Sequence, residues 1–202
     1  MSALQQRGRT GVGRPVATSH AEIEHVAFQL FAQRGFEGTT LDNIAAEVGV
    51  SRRTLTRYFE SKNDIPWGQF ARTLDIFRQI LGSMPKDLEL WDAIHQGVLA
   101  FNDFPADADP SHRERMRLIL STPALQAHSV HKYAEWRAVI ADFVAARLAL
   151  PSDSLFPRTV GQVSLAIALT AYEAWLAADN ADLQHLLNEA FHGLRDSLAT
   201  TL

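Results

Sequence analysis

Thr39-Thr40-Leu41-Asp42-Asn43-Ile44-Ala45-Ala46-Glu47-Val48-Gly49-Val50-Ser51-Arg52-Arg53-Thr54-Leu55-Thr56-Arg57-Tyr58-Phe59 holds two short helical patterns back to back. Thr40 is suited to cap the first, whose Leu41, Ile44, Ala45 and Val48 share one side, and Gly49 suits its end. Only Gly49 and Val50 intervene before Ser51, a second cap, and the helix behind it turns Leu55 and Phe59 inward, four residues apart. With those two buried, Arg52, Arg53, Thr56 and Arg57 are left outward. Ser51 and Thr54 lie in the first turn, where they either cap the backbone or face a partner.

The helical reading extends in both directions. Upstream, Ser19 and Glu22 have capping-box spacing, and Ile23, Val26, Ala27, Leu30 and Phe31 form a face that stops at Gly35. Three short helices sharing one apolar side make a helix-turn-helix unit over residues 19–62. Residues 1–18 form an arm, with Gly8, Gly11, Gly13 and Pro15 opposing a stable helix and Arg7, Arg9 and Arg14 supplying charge. Downstream, residues 63–202 carry longer stripes. One runs Trp67, Phe70, Leu74, Phe77, Leu81, a second Trp91, Ile94, Val98, Phe101, and a third Tyr133, Trp136, Ile140, Phe143, Val144. No alternating strand pattern with hairpin punctuation occurs, so the expected fold is all-α, with about nine or ten helices.

Composition limits what such a chain can do. Its 202 residues are 47% apolar and 21% charged, which describes an ordinary globular protein. The absence of cysteine removes thiolate metal sites, thiol nucleophiles and disulfides. No apolar run approaches a membrane span and no secretory h-region opens the chain, so the expectation is a cytoplasmic protein with no membrane partner. The formal net charge is −4, yet residues 1–62 carry 8 basic against 6 acidic side chains and the remainder 11 against 17. A nucleic-acid surface is therefore local to the N-terminal part.

The outward residues of the second short helix suit DNA. Arginine grips a guanine edge with two parallel hydrogen bonds, and threonine donates, accepts or sets a methyl against thymine. Ser51, Arg52, Arg53, Thr54, Thr56 and Arg57 are the candidate reading residues. Thr40 and Tyr58 offer hydroxyls to phosphates, and Lys62 adds charge at a helix start. Arg14 and its arm neighbours fit a narrow minor groove. The alternatives are a merely solvated arginine face and a tail without defined contacts.

These residues resemble a known family. Thr39 to Ala45, Val48-Gly49-Val50-Ser51, Tyr58-Phe59 and Ser61-Lys62-Asn63-Asp64-Ile65 are similar to the N-terminal signature of TetR-type bacterial transcriptional repressors. Thr56 stands where that family usually carries an aromatic that touches DNA, which shifts weight to Arg52, Arg53 and Arg57. The resemblance implies a homodimeric repressor on a palindromic operator, released by a small-molecule effector. Ser61 to Gly68, Pro123 to Ser129 and Pro157-Arg158-Thr159-Val160-Gly161 resemble the subgroup associated with the mycofactocin cofactor system of actinobacteria. That implies regulation of genes for a peptide-derived redox cofactor and a long-chain acyl-CoA effector. Regulation of another small-molecule or efflux pathway stays open, as does a non-specific architectural DNA-binding protein.

The C-terminal part is expected to bind the effector and to dimerise. Trp67, Phe70, Leu74, Phe77, Trp91, Ile94, Phe101, Met116, Leu120, Leu125, Tyr133, Trp136, Ile140 and Phe143 are candidates to enclose a hydrophobic ligand, or else plain core. Arg113, Arg115 and Arg117 either meet ligand phosphates or balance Asp103, Asp107 and Asp109. The segments 157–178 and 183–198 are apolar widely enough to serve one core and a second copy, or simply to lie central in one core. Pro66, at the fifth position after the Ser61 cap, should kink or restart its helix. His128 and His131, three apart, and His112 offer metal-binding side chains, but no HExxH or comparable pattern supports a site. No catalytic residue, metal or cofactor is expected.

Overall fold

The structure is a computed structural model and describes residues 18–200, with side chains to residue 197. The arm's Arg7, Arg9 and Arg14 lie outside the described residues. The chain divides into two units, Met1–Glu60 and Ser61–Leu202. Among the described residues every regular element is a helix.

In the first unit, α1 (His20–Arg34), α2 (Leu41–Val48) and α3 (Arg52–Leu55) share a core of Ile23, Ala27, Leu30, Phe31, Ile44, Ala45, Leu55 and Phe59. Ser19 caps α1, but Glu22 takes the Thr18 hydroxyl at 2.9 Å, so the expected reciprocal box is not closed on Ser19. Around Thr40 the box is closed: Asn43 N–H donates to Thr40 Oγ1, and Asn43 Oδ1 accepts from the Thr40 N–H at 3.0 Å. Gly49 adopts φ 77°, a left-handed turn that favours glycine, and reverses the chain toward Ser51. Regular α-helix then lasts only through Leu55. Arg57 and Tyr58 N–H bond back three residues, to Thr54 and Leu55, and this tighter turn brings Phe59 into the core.

The second unit opens with a 3₁₀ turn, Lys62–Trp67, followed by α4 (Phe70–Gly82), α5 (Leu90–Phe101), α6 (His112–Ser121), α7 (Pro123–Leu148), α8 (Leu155–Ala177) and α9 (Leu183–Thr200). The restart expected at Pro66 is present: the tight turn ends at Trp67, Gly68 takes φ 55°, and α4 begins at Phe70. Leu74, Phe77, Leu81, Ile94, Val98, Trp136, Ile140, Val144, Val160, Ile167, Leu187 and Phe191 centre the core. The backbones of α7 and α8 approach closely at Gly161, where a Cβ would stand 2.7 Å from the Arg137 carbonyl oxygen.

α8 buries residues on two sides within the unit, Val160, Ile167 and Ala171 on one and Leu165 and Tyr172 on the other. By length and composition Leu155–Ala177 would be able to cross a membrane, although Arg158, Gln162 and Glu173 interrupt its apolar residues, so no uninterrupted apolar run of that length occurs in it. Its buried side chains instead form part of the core with residues of α7 and α9. The buried stripe of α9 is Leu183, Leu187 and Phe191, while His185, Asn188, Glu189 and Asp196 face outward.

Candidate functional site

The outward face of the first unit is built on α2 and α3. Arg52, Arg53, Thr56 and Arg57 are exposed, and Thr54 is half-buried. Ser51 and Thr54 serve the cap: Thr54 N–H donates to Ser51 Oγ at 3.1 Å, and the two hydroxyls lie 2.9 Å apart. Arg52 donates to Asp42 at 2.8 Å, linking α3 to α2. Arg53 and Arg57 make no ion pair among the described residues. The Thr56 hydroxyl bonds the Arg53 carbonyl at 3.1 Å, leaving its methyl and lone pairs available.

The hydroxyls expected at phosphates are engaged inside the protein. Thr40 Oγ1 donates to Asn43 Oδ1 at 2.9 Å. Tyr58 donates to the Thr18 carbonyl at 2.8 Å, and its ring meets His20 edge to face at 5.0 Å. Tyr58 thus ties down the residue at which the arm begins. Sequence reading missed this role, because the partners are forty positions apart. Lys62 sits half-buried at the start of the 3₁₀ turn, in the second unit.

The candidate effector residues gather in the second unit, and half of them are buried. Leu74, Phe77, Ile94, Leu125 and Ile140 are buried to 1% exposure or less, and Trp136 to 5%. Met116 is buried as well, whereas Trp67, Phe70, Trp91, Phe101, Leu120, Tyr133 and Phe143 are half-buried at the core's margin. Phe77 lies against Phe101 and Trp136, with ring centroids 4.5 and 5.3 Å away. Trp67 meets Phe70 at 5.1 Å and Tyr133 at 5.7 Å.

Two arginines of α6, Arg113 and Arg115, reach backbone carbonyls, a role that neither expectation included. Arg113 donates to the carbonyls of Trp175, Ala178 and Ala181 and stacks 4.2 Å over the Trp175 ring, closing the C-terminal end of α8. Arg115 donates to the Pro66 carbonyl at 2.7 Å. Arg117 reaches Asp179 at 3.9 Å on the exposed surface.

The three histidines considered as a metal set have separate surroundings. His128 meets Asp64 at 2.9 Å, which fixes α7 to the 3₁₀ turn. Burial works against the Asp64 charge, but the Ser61 hydroxyl and N–H and His128 outweigh it and hold the carboxyl below its ordinary pKa. His112 contacts the Tyr172 hydroxyl at 2.7 Å and stacks on Phe104, while His131 is exposed. Tyr172 in turn donates to Asn102 at 2.5 Å, so a polar chain joins α6, α8 and α5. Burial and then the Arg115 charge push His112 down to about 3, and its ring is neutral.

Comparison with known proteins places this arrangement in a family. The family described as bacterial regulatory proteins, tetR family, matches residues 23–65, and the MftR C-terminal domain matches residues 88–199. A Mycobacterium tuberculosis protein named for transcriptional regulation of mycofactocin biosynthesis, MftR, is 44% identical over 89% of this chain and 91% of its own. TcmR of Streptomyces glaucescens, an HTH-type transcriptional regulator, is 27% identical over 94% of this chain and 86% of its own. Among solved structures, the fatty acid degradation regulator FadR of Bacillus halodurans superposes with a TM-score of 0.62 at 17% identity, over 86% of this chain and 96% of that one. FadR of Thermus thermophilus, in complex with lauroyl-CoA, gives 0.56 at 17% identity, over 86% and 92%. At those identities the two structures speak for the fold. The chain belongs to the TetR family of bacterial transcriptional regulators, and its C-terminal domain is of the MftR kind.

Proposed function

We propose that this protein represses genes connected with mycofactocin by binding a palindromic operator as a homodimer, and that a hydrophobic effector releases it. The observation that carries the DNA part is the capped α2–α3 pair, whose buried side holds Ile44, Leu55 and Phe59 while Arg53 and Arg57 stand exposed and unpaired among the described residues. Arg52, Arg53, Thr54, Thr56 and Arg57 read base edges, with Ser51 holding the first turn. Arg52 does so on leaving Asp42. Lys62 supplies the phosphate contact, joined by Thr40 and Tyr58 if they exchange their internal partners, and Arg14 reaches the minor groove. Two copies associate through helices 157–178 and 183–198, whose apolar residues extend beyond the core stripe to Leu169, Leu176, Leu186, Ala190 and Leu194, all only half-buried.

The effector reading rests on the aromatic margin of the second unit and on the relatives. The 44%-identical protein is named for mycofactocin regulation, and a structure of the same fold was solved with lauroyl-CoA. A long-chain acyl-CoA is the effector class we assign, received by the residues around Trp67, Phe70, Leu120 and Tyr133, with Leu74, Phe77, Trp91, Ile94, Phe101, Met116, Leu125, Trp136 and Ile140 behind them. A gel-shift titration on the DNA upstream of mycofactocin genes tests the whole reading, with random DNA as control and lauroyl-CoA as effector. The expected result is sequence-selective binding that the acyl-CoA reverses. Equal binding to random DNA favours an architectural protein. Selective binding untouched by acyl-CoA keeps the repressor and assigns it another effector.

A further inference from the structure

Four buried side-chain polar atoms in the second unit make no hydrogen bond with the described residues, Trp67 Nε1, His95 Nε2, Tyr133 Oη and Ser164 Oγ, and two of them are on rings in contact. The indole N–H of Trp67, where the 3₁₀ turn ends, and the hydroxyl of Tyr133, within α7, are shut off from solvent and make no hydrogen bond with the described residues. Burial pushes the Tyr133 phenol up, and nearby Ser129 eases this without forming a hydrogen bond of ordinary geometry. Ser129 donates its own proton to the Leu125 carbonyl at 2.7 Å. The Trp67 and Tyr133 rings meet edge to face with centroids 5.7 Å apart, Phe70 lies 5.1 Å from Trp67, and the Lys132 ammonium stands 5.4 Å over the Phe70 ring. The two rings that carry the unsatisfied donors therefore pack edge to face, with Phe70 beside Trp67 and a cation over Phe70.

Buried polar groups in native proteins are almost always paired, and an indole N–H can only donate. What is missing is an acceptor. A carbonyl oxygen has two lone pairs and brings no protons, so it suits donors carried on neighbouring rings. A water there would carry two protons of its own into a surround of aromatic rings. We infer that Trp67 and Tyr133 form the polar subsite of the effector region and receive the acyl carbonyl oxygen of the ligand, while its chain lies along Phe70. This rests on the acyl-ligand reading above, and adds to it which atoms the protein reads. Lys132, over the Phe70 ring, adds positive charge suited to an anionic head group.

The test compares ligands that differ in that oxygen alone. Lauroyl-CoA and its thioether analogue, S-dodecyl-CoA, share chain and head group, and only the first has the carbonyl. Calorimetric titration of the full chain should show lauroyl-CoA bound about tenfold more tightly than the thioether, the worth of one or two good hydrogen bonds. Tyr133→Phe, which removes one oxygen and keeps the ring, should shrink that preference, read as the ratio of the two affinities within one variant, and Trp67→Phe should shrink the same ratio. Without ligand, Tyr133→Phe should melt no lower than wild type, because the deleted hydroxyl had no partner. A preference retained in both variants, or a ligand-free Tyr133→Phe that melts several degrees lower, overturns the subsite. Equal wild-type affinity for the two ligands sinks the subsite and leaves the acyl-ligand reading standing. Failure of wild type to bind either removes both.

Discussion

Arg53 and Lys62 represent two kinds of contact that the repressor reading keeps apart. Arg53 is exposed on α3, with a guanidinium suited to a base edge, whereas Lys62 is a point charge at the start of the 3₁₀ turn. Arg53→Ala should relax discrimination at one base pair of each half-site at a cost of about 1–3 kcal/mol. Lys62→Ala should weaken operator and random DNA alike. Competition gel shifts on single-base operator variants check the division, and equal losses of both variants on all DNA would abolish it. His112 carries a prediction about stability. Its ring stays neutral in the fold down to about pH 3, while an unfolded histidine takes a proton near its ordinary 6.5. The unfolded chain therefore binds more protons between those values, and stability must fall as the solution is acidified through that window. The loss from this group is about 2 kcal/mol by pH 5. Thermal melts at pH 7.5 and pH 5 should show a smaller drop for His112→Gln than for wild type, and parallel drops would mean that the ring is accessible to protons.

At the scale of elements, the 3₁₀ turn Lys62–Trp67 is the joint of the second unit. It is pinned from α7 by His128 on Asp64 and from α6 by Arg115 on the Pro66 carbonyl, and it ends at Trp67, one of the two donors assigned to the ligand. Elements fixed by a few discrete contacts have alternative arrangements that ligands bias. Pro66→Ala restores an N–H and permits a continuous helix, so it should keep operator affinity but shift the concentration of lauroyl-CoA needed for release by severalfold. Superimposable release curves would remove the joint from the mechanism. The Pro66 break was legible in the sequence, since proline at the fifth helical position leaves the ladder incomplete. The two pins were not: Arg115 and His128 lie 49 and 64 residues from their partners, and no spacing rule connects them.

For the molecule as a whole, the charge division matters more than the total. The first 62 residues are net positive and the remainder net negative, so attraction to DNA is concentrated on one region. If two copies bind together, each operator complex contains two Lys62 residues. Lys62→Ala should then reduce the slope of log affinity against log salt by about two, at roughly 0.9 per phosphate contact. Analytical ultracentrifugation at micromolar concentration should show the dimer, and a particle that stays single would refute the paired-half-site arrangement.

The all-helical class, the short α2–α3 pair and its exposed arginines follow from the sequence alone. They depend on local quantities: caps at Thr40 and Ser51, a left-handed glycine at 49, and apolar residues returning every three or four positions. The early end of α3 at Leu55 was less legible, because the tight turn after it is drawn in by burial of Phe59. Only the tertiary structure decided the fate of Arg113 and Arg115. A guanidinium serves a phosphate, a carboxylate or a helix-end carbonyl equally well, and the neighbours that choose among them come from distant parts of the chain. The same holds for Trp67 and Tyr133, whose stripes read as core: that their polar atoms are buried without an acceptor depends on which rings fold around them, and helical periodicity carries no information about that.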